Sequence, residues 1–173
     1  MNRSIKLLAS ATLIGIFSAP AMAQDTASQS TTGSGRIIQP ITLTKNSDLA
    51  FGTVVRPTTG TNTITIDATT GGISKTGAGD AALAASTSGR ATYTVGGEGA
   101  QTFAISTPAT FNMTSGANSL TVTLASSSAT GTISGSLGSA GTATFGVGGS
   151  FPVSNTQASG NYTGTFTTTV TYN

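Results

Sequence analysis

From Arg36 onward, short runs of the chain alternate β-branched or aromatic residues with polar ones, mostly Thr. They are Ile41-Thr-Leu-Thr44, Phe51 to Val55, Ile64-Thr-Ile66, Thr92-Tyr-Thr-Val95, Phe103-Ala-Ile105, Leu120-Thr-Val-Thr-Leu124, Phe145-Gly-Val147 and a C-terminal run from Tyr162. A period of two is the signature of strands with one buried face. Thr suits such strands, because it accepts extended backbone angles, packs its methyl and leaves a hydroxyl to water. Gly and Ser punctuate the runs at Thr59-Gly60, Gly71-Gly72, Gly96-Gly97, Ser115-Gly116, Gly131, Gly148-Gly149 and Gly160. Turns at this spacing predict an all-β sandwich or barrel. Asp80 to Ala85 is the one helical candidate, with Asp80 as N-cap, and an Ala-rich loop is the competing reading. The low-complexity stretch Ser126 to Ser150 still holds Ile133, Leu137, Phe145 and Val147, which predicts strands joined by Gly/Ser turns and not a linker to a second domain.

The first 23 residues have a different pattern. Arg3 and Lys6 precede an uncharged apolar stretch from Leu7 to Ala19, and Pro20 leads into Ala21-Met22-Ala23. This is the layout of a secretory signal peptide cleaved before Gln24, and the apolar run is short of the roughly 20 residues a spanning helix needs. Residues 24–35 (QDTASQSTTGSG) are polar and aperiodic, with too little apolar surface to offset the entropy of ordering, which predicts a flexible arm. The expected organisation is therefore a signal peptide over 1–23, an arm over 24–35 and a single β-sandwich domain over 36–173.

Composition then removes much chemistry. The 173 residues include 35 Thr and 23 Gly but no Cys, His or Trp, and only 7% are charged. A Cys nucleophile, a Ser-His-Asp triad, a disulfide framework and the usual zinc ligands are all excluded. Neither a Gly-x-Ser-x-Gly elbow nor a Ser-x-x-Lys motif occurs, and Asp48, Asp67, Asp80 and Glu98 stand far apart in sequence, as solvated turn or strand-edge charges do. Gly77-Ala-Gly-Asp80 falls short of a calcium loop, Gly96-Gly-Glu-Gly99 reads as a hairpin turn and Lys75 as a turn charge. Without the leader, five Lys and Arg balance five Asp and Glu, so there is no electrostatic footprint for nucleic acid or an anionic membrane. The expectation is a non-enzymatic protein that folds without a cofactor or metal.

The last fourteen residues, Gly160 to Asn173, alternate without interruption. Tyr162, Gly164, Phe166, Thr168, Val170 and Tyr172 share one face, and the odd-numbered Thr residues share the other. A single strand is predicted here, either completing the domain's own sheet or offered to another chain.

The segments Ile38-Gln-Pro-Ile-Thr-Leu-Thr-Lys-Asn-Ser-Asp-Leu-Ala-Phe-Gly-Thr-Val54, Phe145-Gly-Val-Gly-Gly149, Gly160 to Thr167 and Val170-Thr-Tyr-Asn173 resemble a family of small secreted Gram-negative proteins catalogued as domain of unknown function 4402. More distantly, the Gly fourteen residues from the end, the alternation after it and the penultimate aromatic, here Gly160 and Tyr172, resemble subunits of chaperone-usher pili and spore-coat-U-like proteins. Leu49-Ala-Phe-Gly52 is similar to the first-strand signature of those subunits. That likeness implies an immunoglobulin-like β-sandwich lacking one strand, with a periplasmic chaperone and neighbouring subunits as partners. It makes Gly160, Tyr162, Phe166, Val170 and Tyr172 the candidate partner-strand residues. The chain departs from the pattern in having no Cys pair and no apolar alternation in 24–35; only Ile37, Ile41 and Leu43 alternate usefully. The leading expectation is an exported structural subunit, pilin-like or part of a surface appendage, acting by β-strand complementation in the periplasm or at the cell surface. The alternative is a stand-alone secreted binding module for a glycan or surface partner, using its loops and an exposed Tyr93 or Tyr162.

Overall fold

The computed structural model describes residues 26–173. The expected leader and its cleavage site lie outside the described residues. Residues 26–35 have no regular secondary structure and are exposed throughout, and the second unit runs from Arg36 to Asn173. Its twelve strands are β1 (Thr42–Ser47), β2 (Thr53–Val55), β3 (Thr61–Ile66), β4 (Ile73–Gly77), β5 (Ala82–Ala84), β6 (Ala91–Glu98), β7 (Thr102–Ser106), β8 (Thr110–Ser115), β9 (Asn118–Ser126), β10 (Thr130–Thr132), β11 (Ala140–Ser154) and β12 (Thr169–Tyr172). All pairings are antiparallel and no helix occurs among the described residues, so the fold is all-β.

Seven strands form one curled sheet, β10-β7-β12 form a second, and β2-β5 a third. The long strand β11 organises the first. Val147 pairs with both Ala91 of β6 and Ser126 of β9, and Gly149 with both Ile66 of β3 and Leu124 of β9. A residue with two ladder partners has one on each side, so β6 and β3 follow one another along one edge of β11 while β9 occupies the other. The glycines of Phe145-Gly-Val-Gly-Gly149 sit where that edge changes partner. A Cβ on Gly148 would lie 2.2 Å from the Ile66 carbonyl oxygen, and one on Gly146 2.3 Å from that of Ala68. The chain leaving β3 crosses there, and only glycine permits that approach. Arg90 Nη1 donates to the Ala68 carbonyl at 2.8 Å across the same point.

The period-two pattern is visible in the burial. Ile64, Ile66, Val95, Val122, Val147, Phe103 and Ile133 are fully buried, and the Thr residues between them face out. Two aromatic pairs anchor the core: Phe51 meets Phe151 edge-on at 4.8 Å, and Tyr93 stacks on Phe145 at 5.1 Å.

Several local expectations are corrected. The segment Asp80 to Ala85 is neither helix nor loop throughout, because Ala82–Ala84 pair with β2 as β5. Asp80 caps no helix; its carboxylate accepts from the Thr58 hydroxyl and from the Thr58 and Thr59 backbone N–H groups. Lys75 lies within β4 and donates to the Ala81 carbonyl. Gly96 to Glu98 belong to β6, and since β6 and β7 pair with different strands the turn after them is not a hairpin. The Ser126 to Ser150 stretch does hold strands, β10 and the first part of β11. The largest correction is at the C-terminus. Only Thr169–Tyr172 form a strand, and before it Thr163 alone makes a bridge, to Thr114 of β8.

Candidate functional site

The first wall of the site is the segment from Lys45 to Arg56. The pairing of β1 with β6 shifts register between Lys45 and Ser47 and ends with Ser47 opposite Thr92. Beyond it Ala50 bridges to Gly89, and β2 pairs with β5. Each pairing is on one side only, so the opposite edge of this segment has no ladder partner among the described residues. Gly52 at φ +68° makes the bend between the two pairings.

The second wall is the chain from Gln157 to Phe166. Thr163 and Thr114 exchange hydrogen bonds of 2.8 and 3.0 Å, and a Cβ on Gly164 would strike the Asn112 carbonyl at 2.2 Å. The segment thus lies against β8, and its other edge has no ladder partner among the described residues. The direction of the walls follows from the pairings: β1 with β6, β6 with β11, β11 with β9, β9 with β8, and β8 with Thr163 are each antiparallel. Five reversals leave the two walls running in opposite directions.

Between them lies a cleft of about 840 Å³, floored by the core residues Phe51, Leu120, Phe151 and Val153 and rimmed by Val54 and Val55. It shares Leu49, Met113 and Tyr162 with a second cleft of about 260 Å³ that reaches Lys45, Tyr93, Phe111 and Phe166. The two are one groove along the gap. The walls are tied at one point, where Arg56 Nη1 donates to the Gln157 carbonyl at 2.9 Å.

The candidate partner-strand residues divide between the groove and the protein's own sheet. Gly160 and Tyr162 line the larger cleft, and Tyr162 and Phe166 the smaller. Gly160 is exposed and sits against Ser115; a Cβ there would meet Ser115 Oγ at 2.3 Å. Tyr162 is half-buried, its hydroxyl accepting from Gln157 Nε2 at 2.7 Å and donating to the Ala158 carbonyl at 2.8 Å. Phe166 packs on Phe111 at 5.0 Å. Val170 and Tyr172 are instead already paired with Ile105 and Phe103 of β7. Tyr93 is buried and not the exposed ring expected for sugar stacking, whereas Tyr162 is half-buried.

The acidic residues are engaged structurally. Hydrogen bonds from the Thr70 backbone and hydroxyl, then from the Thr69 backbone, hold the Asp67 carboxyl below the usual range. The Thr58 hydroxyl, then the Thr59 and Thr58 backbone, do the same for Asp80. Asp48, hydrogen-bonded to Lys45 at 2.5 Å, raises the pKa of that lysine. Glu98 departs from the expectation of a solvated charge: it is buried, and accepts from the backbone N–H of Gln39 at 3.3 Å and from that of Gly138.

Of the floor residues, Leu120 was legible only as part of an alternating run, and Phe151 and Val153 lie outside the runs whose alternation marks strands. Their place beneath an open groove depends on which strands fail to meet, and no local pattern encodes that.

No curated protein and no solved structure matches the chain. A family model does, over residues 41–172, a span that includes both walls of the groove and all five candidate residues. The chain belongs to the family described as Domain of unknown function (DUF4402).

Proposed function

We propose that this protein is a non-enzymatic, exported structural subunit that works by β-strand complementation, with the groove as acceptor of a strand from another chain. One observation carries the reading. The path from β1 through β6, β11, β9 and β8 to Thr163 is a curled sheet whose two ends face each other across a gap floored by core residues, each with an edge that has no ladder partner among the described residues. An extended segment entering the gap would pair with both edges and cover Phe51, Leu120, Phe151 and Val153. Because the walls run oppositely, it would lie parallel to one and antiparallel to the other. Export rests on the leader pattern of residues 1–23, and the partners of this reading are a periplasmic chaperone and neighbouring subunits.

Size-exclusion chromatography and unheated denaturing gels of the mature protein, with and without residues 24–35, test it. Assembly into a ladder that disappears on removal of the arm is the expected result. A stable monomer from both forms would overturn the reading.

A further inference from the structure

Among the described residues, four large apolar side chains stand exposed: Ile37, Ile38, Val55 and Leu137. Three of them belong to one end of the domain. The Glu98 carboxylate is buried and accepts from two backbone N–H groups, those of Gln39 and Gly138. The residues bonded to these nitrogens are Ile38 and Leu137, so two segments remote in sequence are pinned at one point, with Ile37, Ile38 and Leu137 around it. Gly135 and Gly138, at φ +90° and +89°, bend the loop that carries Leu137. The fourth residue, Val55, stands on the first wall of the groove.

The arm relates these two places in different copies of the chain. Residues 24–35 join the domain at Arg36, at the apolar end, and they equal in number the residues of the first wall, Lys45 to Arg56. Laid along that wall as a strand, at about 3.3 Å per residue, the arm of one copy leaves no slack. The chain beyond it cannot follow, because both backbone groups of Gln39 are held, the N–H by Glu98 and the carbonyl by the Tyr172 hydroxyl. Ile37, Ile38 and Leu137 are therefore drawn against the mouth of the groove that receives the arm. The two mouths differ: one carries the exposed Lys45–Asp48 ion pair, the other Val55. Docking at the second removes apolar surface from water, whereas docking at the first would strip water from charges.

We propose that the end bearing Ile37, Ile38 and Leu137 docks on the Val55 rim of the groove in a second copy of this chain. The proposal rests on the groove being a strand acceptor. It adds the surface that fixes neighbouring copies to each other and the direction of the entering arm, parallel to the first wall. The contact joins unlike surfaces, so it extends from copy to copy instead of ending at a pair. Arg36 and Arg56, on either side of the joint, are exposed, and water and salt screen their repulsion.

The chain has no Cys, so introduced thiols report single positions. Mature Leu137→Cys and Val55→Cys chains, mixed and treated with a short bismaleimide, should give a covalent pair on heated denaturing gels that neither gives alone. Leu137→Ser should weaken ladder formation by about tenfold with the monomer's melting temperature unchanged. Equal cross-linking of Leu137→Cys by itself would mean that like ends meet, and cross-linking to Asp48→Cys in place of Val55→Cys would mean that the arm enters from the other mouth; either result overturns the proposal. A wild-type ladder without a cross-link between positions 137 and 55 overturns it and leaves the groove reading intact, whereas absence of any ladder overturns both.

Discussion

The Tyr172 hydroxyl accepts a hydrogen bond of 2.8 Å from the Glu98 backbone N–H while donating to the Gln39 carbonyl at 3.0 Å. The Glu98 carboxylate in turn accepts from the Gln39 N–H, so the segment before β1, the end of β6 and the penultimate residue of the chain meet at one knot. Tyr172→Phe leaves the ring in place and removes both hydroxyl bonds. It should lower stability in urea unfolding by about 1–3 kcal/mol. Glu98→Gln, which sets an amide where two backbone donors point, should have a cost of similar size. The double variant should lose less than the sum, since both act on Gln39.

Crowding at the β3-to-β6 changeover predicts a steep penalty for one methyl group. Gly148→Ala would push Cβ to 2.2 Å from the Ile66 carbonyl oxygen and should cost about 3 kcal/mol or prevent folding. Gly89→Ala, with nothing within 4 Å of the added carbon, should stay within about 0.5 kcal/mol. Thermal melts of the pair separate close approach from a general need for glycine.

Asp67 and Asp80 give the stability a definite acid dependence. Both carboxyls are held below their ordinary value in the folded chain. Their contribution is fully present above the unfolded value and is lost as the pH falls through the lower folded one. Asp80→Asn should therefore melt below the wild type at pH 7, and the difference should shrink progressively as the pH falls below the ordinary aspartate value. A difference that persists in acid would point to a packing effect.

Val55 tests the groove without disturbing the core, because it stands on the first wall and is 53% exposed. Val55→Asp should leave monomer stability within about 0.5 kcal/mol, yet suppress the ladder on unheated gels by setting a desolvated charge where an incoming strand must pack.

Much of this architecture was legible because burial follows parity. Ile64, Ile66, Val95, Val122 and Val147 read as inward from alternation alone, and they are. The C-terminal run shows where that reading stops. Tyr162, Phe166, Val170 and Tyr172 are half-buried and their odd-numbered neighbours exposed, as the pattern requires, yet only Thr169–Tyr172 find a ladder. Alternation reports which way side chains point, whereas a strand also needs a neighbour at hydrogen-bonding distance. For β4 and β10 the reverse holds: neighbours impose pairing on segments such as Thr130-Gly-Thr132 that have little apolar alternation. Burial of Glu98 was hidden for a related reason, since its partners Gln39 and Gly138 come from remote segments.

The shared strand β11 also dictates an order of events when the chain folds. Hairpins β3-β4 and β8-β9 close over short loops and need nothing distant. Joining them to each other and to β6 requires residues 140–154, so the assembly of the seven-stranded sheet waits for one segment to dock. Loop-closure entropy makes such a step slow, and until it is complete the hairpins present open edges to solvent. Completion of the large sheet thus depends on the arrival of β11, and an agent that shields hairpin edges in that interval would raise the yield of folded protein without changing its final stability.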